Sequence, residues 1–154
     1  HEYRVDGKSL VETVDLEQEQ FTPLEKEIVR ARRASRTSLF EAATVFRAER
    51  QIGLRDLLEP ERAEIRLTDF GLTDTLDRAR SPLVLFTRLV TVGQITMTGG
   101  FSFAFDPARA PGMVQAYRQK MKKVPAEQLS EQRFIFFYRK QRQFGIAQKY
   151  QDVI

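Results

Sequence analysis

Cysteine is absent from this sequence of 154 residues, and histidine occurs once, at His1. Without cysteine the chain has no disulfides, no thiolate nucleophile and no Cys-ligated zinc or iron–sulfur site. A lone histidine at the first position supplies neither a Ser-His-Asp arrangement nor a cluster of histidine ligands inside the fold. We therefore predict a protein that is not an enzyme and that has no metal or other cofactor.

Long apolar runs and glycine-rich phosphate-binding motifs are lacking too. No run of about 18 apolar residues occurs, so the sequence predicts no transmembrane segment. Neither a G-x-G-x-x-G fingerprint nor a Walker A sequence is present, which argues against a nucleotide-binding enzyme. Because the chain begins at His1 and not at Met, we expect an exported or envelope-associated protein.

The length and composition are those of one globular domain. Hydrophobic residues make up 42% and charged residues 30% of the chain, which is ordinary for a soluble protein with a core. No internal repeat, low-complexity tract or Pro/Gly/Ser-rich linker divides the chain. We predict a single α+β domain over residues 1–154, in which residues 1–20 form a polar N-terminal arm.

Charge is abundant but unevenly distributed along the chain. Residues 1–77 carry 12 Lys and Arg against 17 Asp and Glu, whereas residues 78–154 carry 13 against 4. The N-terminal half is therefore acidic and the C-terminal half is basic. Such an asymmetry indicates either an anionic partner for the basic half or self-association through opposite charges.

A long amphipathic helix is predicted after the arm. Thr22 suits the N-cap, Pro23 the first helical position and Glu25 the capping box that begins a helix. Apolar or small residues then recur every three or four positions: Leu24, Ile28, Ala31, Ser35, Leu39, Ala42 and Phe46. This stripe predicts a helix that runs to about Gln51 and packs its apolar face on a sheet.

Strand patterns follow the predicted helix. Alternation predicts a half-buried strand over 63–67, and apolar runs predict strands at 83–86 and 89–92. The two glycines at 99 and 100, between two alternating runs, indicate a hairpin. A three-residue loop at 98–100 would pair Met97 with Phe101 and gather apolar residues on one face. This register predicts a bulge at the second glycine.

The stretch FIFFYRKQRQF, residues 134–144, joins a cluster of rings to a cluster of cations. Consecutive rings suit a strand covered on both faces, so we predict a strand at 134–139 and a returning strand at 144–150. A helix within 126–150 is the alternative, because short apolar runs are ambiguous by periodicity alone. In either case burial stabilises each ring by about 1.5–3 kcal/mol, which leaves only the cations to contact a partner.

As a whole the sequence predicts an α+β fold, with the long N-terminal amphipathic helix packed on a mainly antiparallel, Phe-rich sheet of about four to six strands. A further helix is predicted over 113–123. The predicted anion- or partner-binding residues are Arg118, Lys120, Lys122, Lys123, Arg139, Lys140 and Arg142.

The function that these features predict is a non-catalytic protein–protein interaction module, acting as a subunit of a larger complex. Two alternatives are open. Nucleic acid or another anionic surface could bind the basic residues of 118–142. A small apolar ligand could occupy a pocket lined by Phe101, Phe103, Phe105 and Phe134, where a helix covers a curved sheet.

Overall fold

The computed structural model of the protein describes residues 4–5, 8–17, 20–79 and 82–146. The strands are β1 (Arg4–Val5), β2 (Lys8–Ser9), β3 (Arg36–Phe46), β4 (Gln51–Asp56), β5 (Ile65–Thr68), β6 (Leu83–Val92) and β7 (Ile95–Phe105). The helices are α1 (Leu10–Thr13), α2 (Pro23–Arg33), α3 (Phe70–Ala79), α4 (Ala110–Met121) and α5 (Leu129–Phe144). This mixture confirms the predicted α+β class. None of the described helices has the length and apolar composition that a helix needs to cross a bilayer.

An antiparallel sheet of five strands, in the order β5-β4-β3-β6-β7, forms the centre of the fold. Its middle strand is β3, in which Phe40 is paired with Asp56 of β4 on one side and with Leu85 of β6 on the other. The sheet curls so far that its two edge strands, β5 and β7, approach each other. The predicted antiparallel sheet is thus confirmed, and its size lies in the predicted range.

Apolar clusters cover both faces of the sheet. One joins the sheet to α4 and α5 and includes Leu39, Val84, Phe86, Phe105, Met113, Tyr117, Phe136 and Phe137. The other joins the sheet to α3 and includes Phe40, Ile52, Leu54, Leu67, Leu76 and Leu89. Leu39 and Phe40 are adjacent on β3, and both are fully buried, one in each cluster. The middle of the sheet is therefore shielded from solvent on both sides.

The predicted start of the N-terminal helix is confirmed, but its predicted length is wrong. Thr22 and Glu25 form a capping box: the Thr22 amide donates to Glu25 Oε2 at 2.7 Å, and the Glu25 amide donates to Thr22 Oγ1 at 3.3 Å. The helix, α2, ends at Arg33, and residues 36–46 form β3. None of the α2 side chains is buried, so the helices packed on the Phe-rich face are α4 and α5 instead.

A strand buried on both faces can carry the same apolar spacing as a helix. Thr37, Ser38, Leu39 and Phe40 are all buried, as expected for a central strand with a neighbour on each side. Serine and threonine are also weak helix formers. Pairing with strands distant in sequence therefore outweighs the local helical pattern, which residues 24–51 alone could not reveal.

The hairpin between β6 and β7 turns at Gly93, which has φ +58°, and not at 98–100 as predicted. The two glycines lie within β7, where the register between the strands shifts and Gly100 has φ +108°. The irregularity thus lies at the predicted glycines, but within a strand and not beside a 98–100 loop, and Met97 pairs with Val90 and not with Phe101. Here glycine supplies the irregularity of a bulged strand instead of a chain reversal.

The strand predicted at 134–139 is wrong, because residues 129–144 form α5. Of the returning strand predicted at 144–150, residues 147–150 lie outside the described residues. The helical alternative is the one that α5 adopts. A helix accommodates consecutive rings because neighbouring positions face different partners: Phe137 stacks on Phe86 of β6, and Phe136 meets Tyr117 of α4. The helix predicted over 113–123 is confirmed as α4.

Candidate functional site

Two helices that pack on the same face of the sheet carry the predicted binding residues. On α4, Met113, Tyr117 and Met121 are buried at spacings of four, which turns the intervening polar residues outward. On α5, Phe137 is fully buried, and its ring stacks on Phe86 with centroids 4.4 Å apart. The buried rings fix the orientation of both helices and thereby the direction in which their cations project.

Six of the seven predicted binding residues are exposed, and Lys140 is half-buried. We call the seven the basic surface: Arg118, Lys120, Lys122, Lys123, Arg139, Lys140 and Arg142. Among the residues that the structure describes, no carboxylate forms an ion pair with any of them. Their charge is therefore directed to solvent or to a partner.

Lys120 of α4 and Lys140 of α5 lie beside the same ring. Their Nζ atoms are 5.9 Å and 5.7 Å from the centroid of Phe136, which is 6% exposed. The Phe144 ring lies 5.5 Å from Lys140 Nζ and 4.8 Å from the guanidinium carbon of Arg109. Arg109, Phe144, Lys140, Phe136 and Lys120 thus form a continuous series, the cation–ring row. Each contact stabilises by about 0.5–1 kcal/mol at exposed positions and restrains its cation.

The structure brings together only part of the predicted set. Lys120 and Lys140 meet at Phe136, as described above. The other five side chains make no ring contact and no hydrogen bond with any residue in the described part of the chain: Arg118, Lys122, Lys123, Arg139 and Arg142. No described residue therefore restrains the charged ends of these five cations.

Three members of the cation–ring row were missed by sequence reasoning: Arg109, Phe136 and Phe144. Had residues 129–144 been assigned as a helix, the spacing of four between Phe136, Lys140 and Phe144 would have placed all three on one face. Arg109 precedes α4 in a 3₁₀ turn, and no local signal points to it. Its position follows from the packing of α4 against α5, which the sequence does not display.

Arg133 is basic and lies on α5, but its role is structural. Its Nε donates to the hydroxyl of Tyr117 on α4 at 2.9 Å, and its Nη1 donates to the backbone carbonyl of Thr37 on β3 at 2.6 Å. These hydrogen bonds attach α5 to its neighbouring helix and to the middle strand of the sheet. Arg133 is therefore not part of the basic surface.

The acidic half of the chain neutralises much of its charge internally. Arg36 lies 3.0 Å from Asp56 and 3.6 Å from Glu59, to which Arg62 is also paired. The further pairs are Arg47 with Asp77, Arg55 with Glu41, and Arg66 with Glu64. These pairs occupy carboxylates and arginines of the same segment, whereas the cations of the basic surface have no such partner among the described residues.

Metal-ligand types are not clustered in the part of the chain that the structure describes. No group of three or more His, Asp or Glu there could hold a metal ion. At the start of α2, the Thr22 amide, with a smaller contribution from its hydroxyl, lowers the pKa of Glu25 by hydrogen bonding to its carboxylate. Glu25 serves to cap the helix, so its shifted pKa has a structural cause. The exposed cations of the basic surface are the groups here that can attract anions.

The phenylalanines predicted to line a ligand pocket pack against one another. Ring centroids are 5.3 Å apart for Phe101 and Phe103, 5.4 Å for Phe101 and Phe134, and 5.9 Å for Phe103 and Phe134. Phe105 contacts Phe137 with centroids 6.5 Å apart. These are contact distances for aromatic pairs, so the rings occupy the space between β7 and α5 themselves.

Comparison with known proteins identifies a family. A family model described as "Family of unknown function (DUF7986)" matches residues 1–151. No curated protein and no solved structure matches the chain.

Proposed function

The chain belongs to DUF7986, a family of unknown function, and we propose that it is a non-catalytic interaction module that binds an acidic partner protein through its basic surface. The main support for this proposal is the lack of ion-pair partners for the basic surface. The seven cations of the basic surface have no ion-pair partner among the described residues, although ion pairs recur through residues 36–77. Unpaired cations on two neighbouring helices create a positive field that attracts and orients an anionic partner.

The internal ion pairs of the acidic half favour a partner other than a second copy. Glu41, Asp56, Glu59, Glu64 and Asp77 are each engaged by an arginine of the same chain. Self-association through opposite charges would have to break these pairs or use the remaining carboxylates. A different chain, which offers unpaired Asp and Glu, meets the basic surface without that cost.

Burial of the rings favours a protein over single-stranded nucleic acid. Binding of single strands relies on exposed rings on which bases stack. Phe136 is 6% exposed and Phe137 is fully buried, so neither offers a face to a base. Phe144, the other ring of the cation–ring row, is half-buried, and Tyr138 is the large exposed ring on the same helix, so little ring surface is open to bases. Carboxylates need only positive charge and N–H donors.

Binding of a fluorescent peptide of about twelve glutamates tests the proposal by anisotropy at low salt. Replacing both lysines of the cation–ring row, Lys120→Gln with Lys140→Gln, should weaken binding about tenfold, because each lost contact costs about 0.2–1 kcal/mol. A control that removes two cations elsewhere, Lys26→Gln with Arg50→Gln, should leave the affinity nearly unchanged. Arg50 also lies over a ring, at 5.4 Å from Phe70, and so matches the chemistry of the lost groups.

Three outcomes would contradict the proposal. The first is no measurable binding of the glutamate peptide at about 0.02 M salt, where exposed charges are least screened. The second is an equal loss of affinity in the control. The third is an affinity for an oligonucleotide of matched charge that exceeds the affinity for the peptide, since this would reassign the partner.

Nucleic acid remains the second candidate because of the side chains that α5 exposes. Arg139, Arg142 and Gln143 are exposed on this helix, and arginine and glutamine are residue types that contact phosphates and base edges. Changing Arg139 and Arg142 to alanine should then weaken duplex binding more than glutamate-peptide binding. A steep loss of duplex affinity with rising salt would accompany it.

A further inference from the structure

A cleft of about 400 Å³ lies where the two edge strands of the curled sheet approach each other. Its walls include Ile65 of β5, Thr96 of β7, Leu89 of β6 and Ala31 of α2. The volume falls within the range of small-molecule sites, about 300–1,000 Å³. None of the lining residues belongs to the basic surface. The cleft is therefore independent of the function proposed above.

The cleft combines aliphatic side chains with hydroxyl groups. Ala31, Ile65 and Leu89 present apolar surface. Thr91 and Thr96 also line the cleft, and their hydroxyl oxygens are 2.9 Å apart, so that one donates to the other. The accepting hydroxyl keeps its own proton, which it can donate to a ligand. Such a wall suits a small molecule with an apolar body and few polar atoms.

Two arginines provide the charge of the cleft. Arg62 is 55% exposed and is bonded to Glu59. Arg36 is 22% exposed; its Nη2 pairs with Asp56 at 3.0 Å, whereas its Nη1 makes no hydrogen bond and lies 3.6 Å from Glu59. No Asp or Glu of the described chain lines the cleft. Arg36 Nη1 is buried, so a ligand meets chiefly Arg62, of which only Nε is bonded to a described residue.

We propose that this cleft binds a small organic carboxylate. The carboxylate contacts Arg62 and the exposed part of Arg36, and the apolar body lies against the aliphatic wall. Asp56 and Glu59 already balance the charges of the two arginines, so a singly charged ligand is favoured over a dianion such as phosphate. Guanidinium groups also bind carboxylates in a bidentate geometry that a neutral alcohol does not offer.

Titration of the ¹⁵N-labelled protein with benzoate and with hexanoate tests this proposal, with benzyl alcohol and inorganic phosphate as comparisons. A carboxylate should shift the amide signals of Ala31, Leu89 and Thr96 saturably. Its dissociation constant should be at least about tenfold lower than that of benzyl alcohol or phosphate. Equal binding of the alcohol would overturn the assignment of an anion. No saturable shift with either carboxylate would overturn the site.

Two matched pairs of variants distinguish the cleft from general effects on the protein. Ala31→Leu fills the cleft and Arg62→Gln removes its exposed guanidinium, so each should weaken benzoate binding about tenfold. The controls are Ala48→Leu and Arg55→Gln, at exposed residues outside the cleft. Arg55 is bonded to a surface carboxylate, as Arg62 is. A loss in the controls equal to the loss in the cleft variants would overturn the proposal.

Discussion

Arg36 of β3 and Asp56 of β4 form a buried ion pair, with Nη2 and Oδ2 3.0 Å apart and the Asp56 side chain 1% exposed. The other carboxylate oxygen accepts hydrogen bonds from Ser38 Oγ at 2.7 Å and from the amides of Leu58 at 2.9 Å and Glu59 at 3.1 Å. Asp56 is thus bonded both to β3 and to the loop after β4. These bonds fix that loop relative to the sheet.

Removal of Arg36 should destabilise the protein strongly, because it leaves the carboxylate of Asp56 buried without its counter-charge. For Arg36→Ala we expect a loss of about 3 kcal/mol in the free energy of unfolding. The control is Arg55→Ala: this arginine is 62% exposed and pairs with Glu41, so its loss should cost less than about 1 kcal/mol. Urea unfolding of the two variants makes the comparison. An equal loss in the free energy of unfolding for the two variants would contradict the prediction that the buried pair stabilises the fold more than the exposed one.

Truncation of Phe137 should lower the stability of the fold, because this side chain attaches α5 to the sheet. The side chain is fully buried and stacks on Phe86, so Phe137→Ala should cost about 3–5 kcal/mol through lost burial and the cavity left behind. The adjacent Tyr138 is 45% exposed, and Tyr138→Ala should cost only about 1 kcal/mol. Thermal melts of both variants measure the difference. A similar cost at the two positions would contradict the orientation of α5 described above.

Changing each of two glycines to alanine should alter the free energy of unfolding in opposite directions. Gly100 has φ +108°, a conformation that alanine adopts only with strain, so Gly100→Ala should destabilise by more than about 1 kcal/mol. Gly112 lies in α4, and a methyl group added there would meet no atom within 4 Å. Gly112→Ala should therefore stabilise by about 0.4–1 kcal/mol. Chemical denaturation measures the free energy of unfolding of both variants. If both variants were stabilised, the irregular backbone at Gly100 in β7 would be contradicted.

The capping box at the start of α2 should make its stability depend on pH. Hydrogen bonds from Thr22 lower the pKa of Glu25 in the folded protein below its unfolded value. The stabilisation is therefore present above the unfolded pKa and is lost as the pH falls through the folded pKa. The protection of α2 amides against exchange, relative to the intrinsic rate at each pH, should fall across this acidic range in the wild type. Glu25→Gln should remove that dependence, whereas a variant that keeps the full acid response would exclude the capping carboxylate as its cause.

Features encoded by a few adjacent residues were predictable from the sequence. The capping box at 22–25 needs only local hydrogen bonds. The strand predicted at 63–67 corresponds to β5 (Ile65–Thr68), and the runs predicted at 83–86 and 89–92 both lie in β6 (Leu83–Val92). The strand at 36–46 was not predictable, because its pairing partners lie in distant parts of the chain. For α5 the rings at consecutive positions favoured a strand, with a helix as the alternative. The packing of Phe136 on α4, which distinguishes the two, is a tertiary contact.

The composition of the candidate site was partly predictable, but its geometry was not. The uneven charge of the chain pointed to α4 and α5, and six of the seven predicted cations are indeed exposed. The convergence of Lys120 and Lys140 on one ring depends on how the helices cross. The cleft near Arg36 had no sequence signal at all. Its walls come from four strands, the helix α2, the turn between α2 and β3, and the loop before β5. No single one of these segments carries a recognisable motif.

The bond from Arg133 to the carbonyl of Thr37 spans 96 positions of the chain. On the ribosome, β3 emerges long before α5 has been synthesised. Until residues 129–144 leave the exit tunnel, the Phe86 face of the nascent sheet lacks the helix that covers it. An incomplete chain with such an open apolar face is a substrate for chaperones and is prone to aggregate. Synthesis of α5 is therefore the step after which this apolar face can be covered.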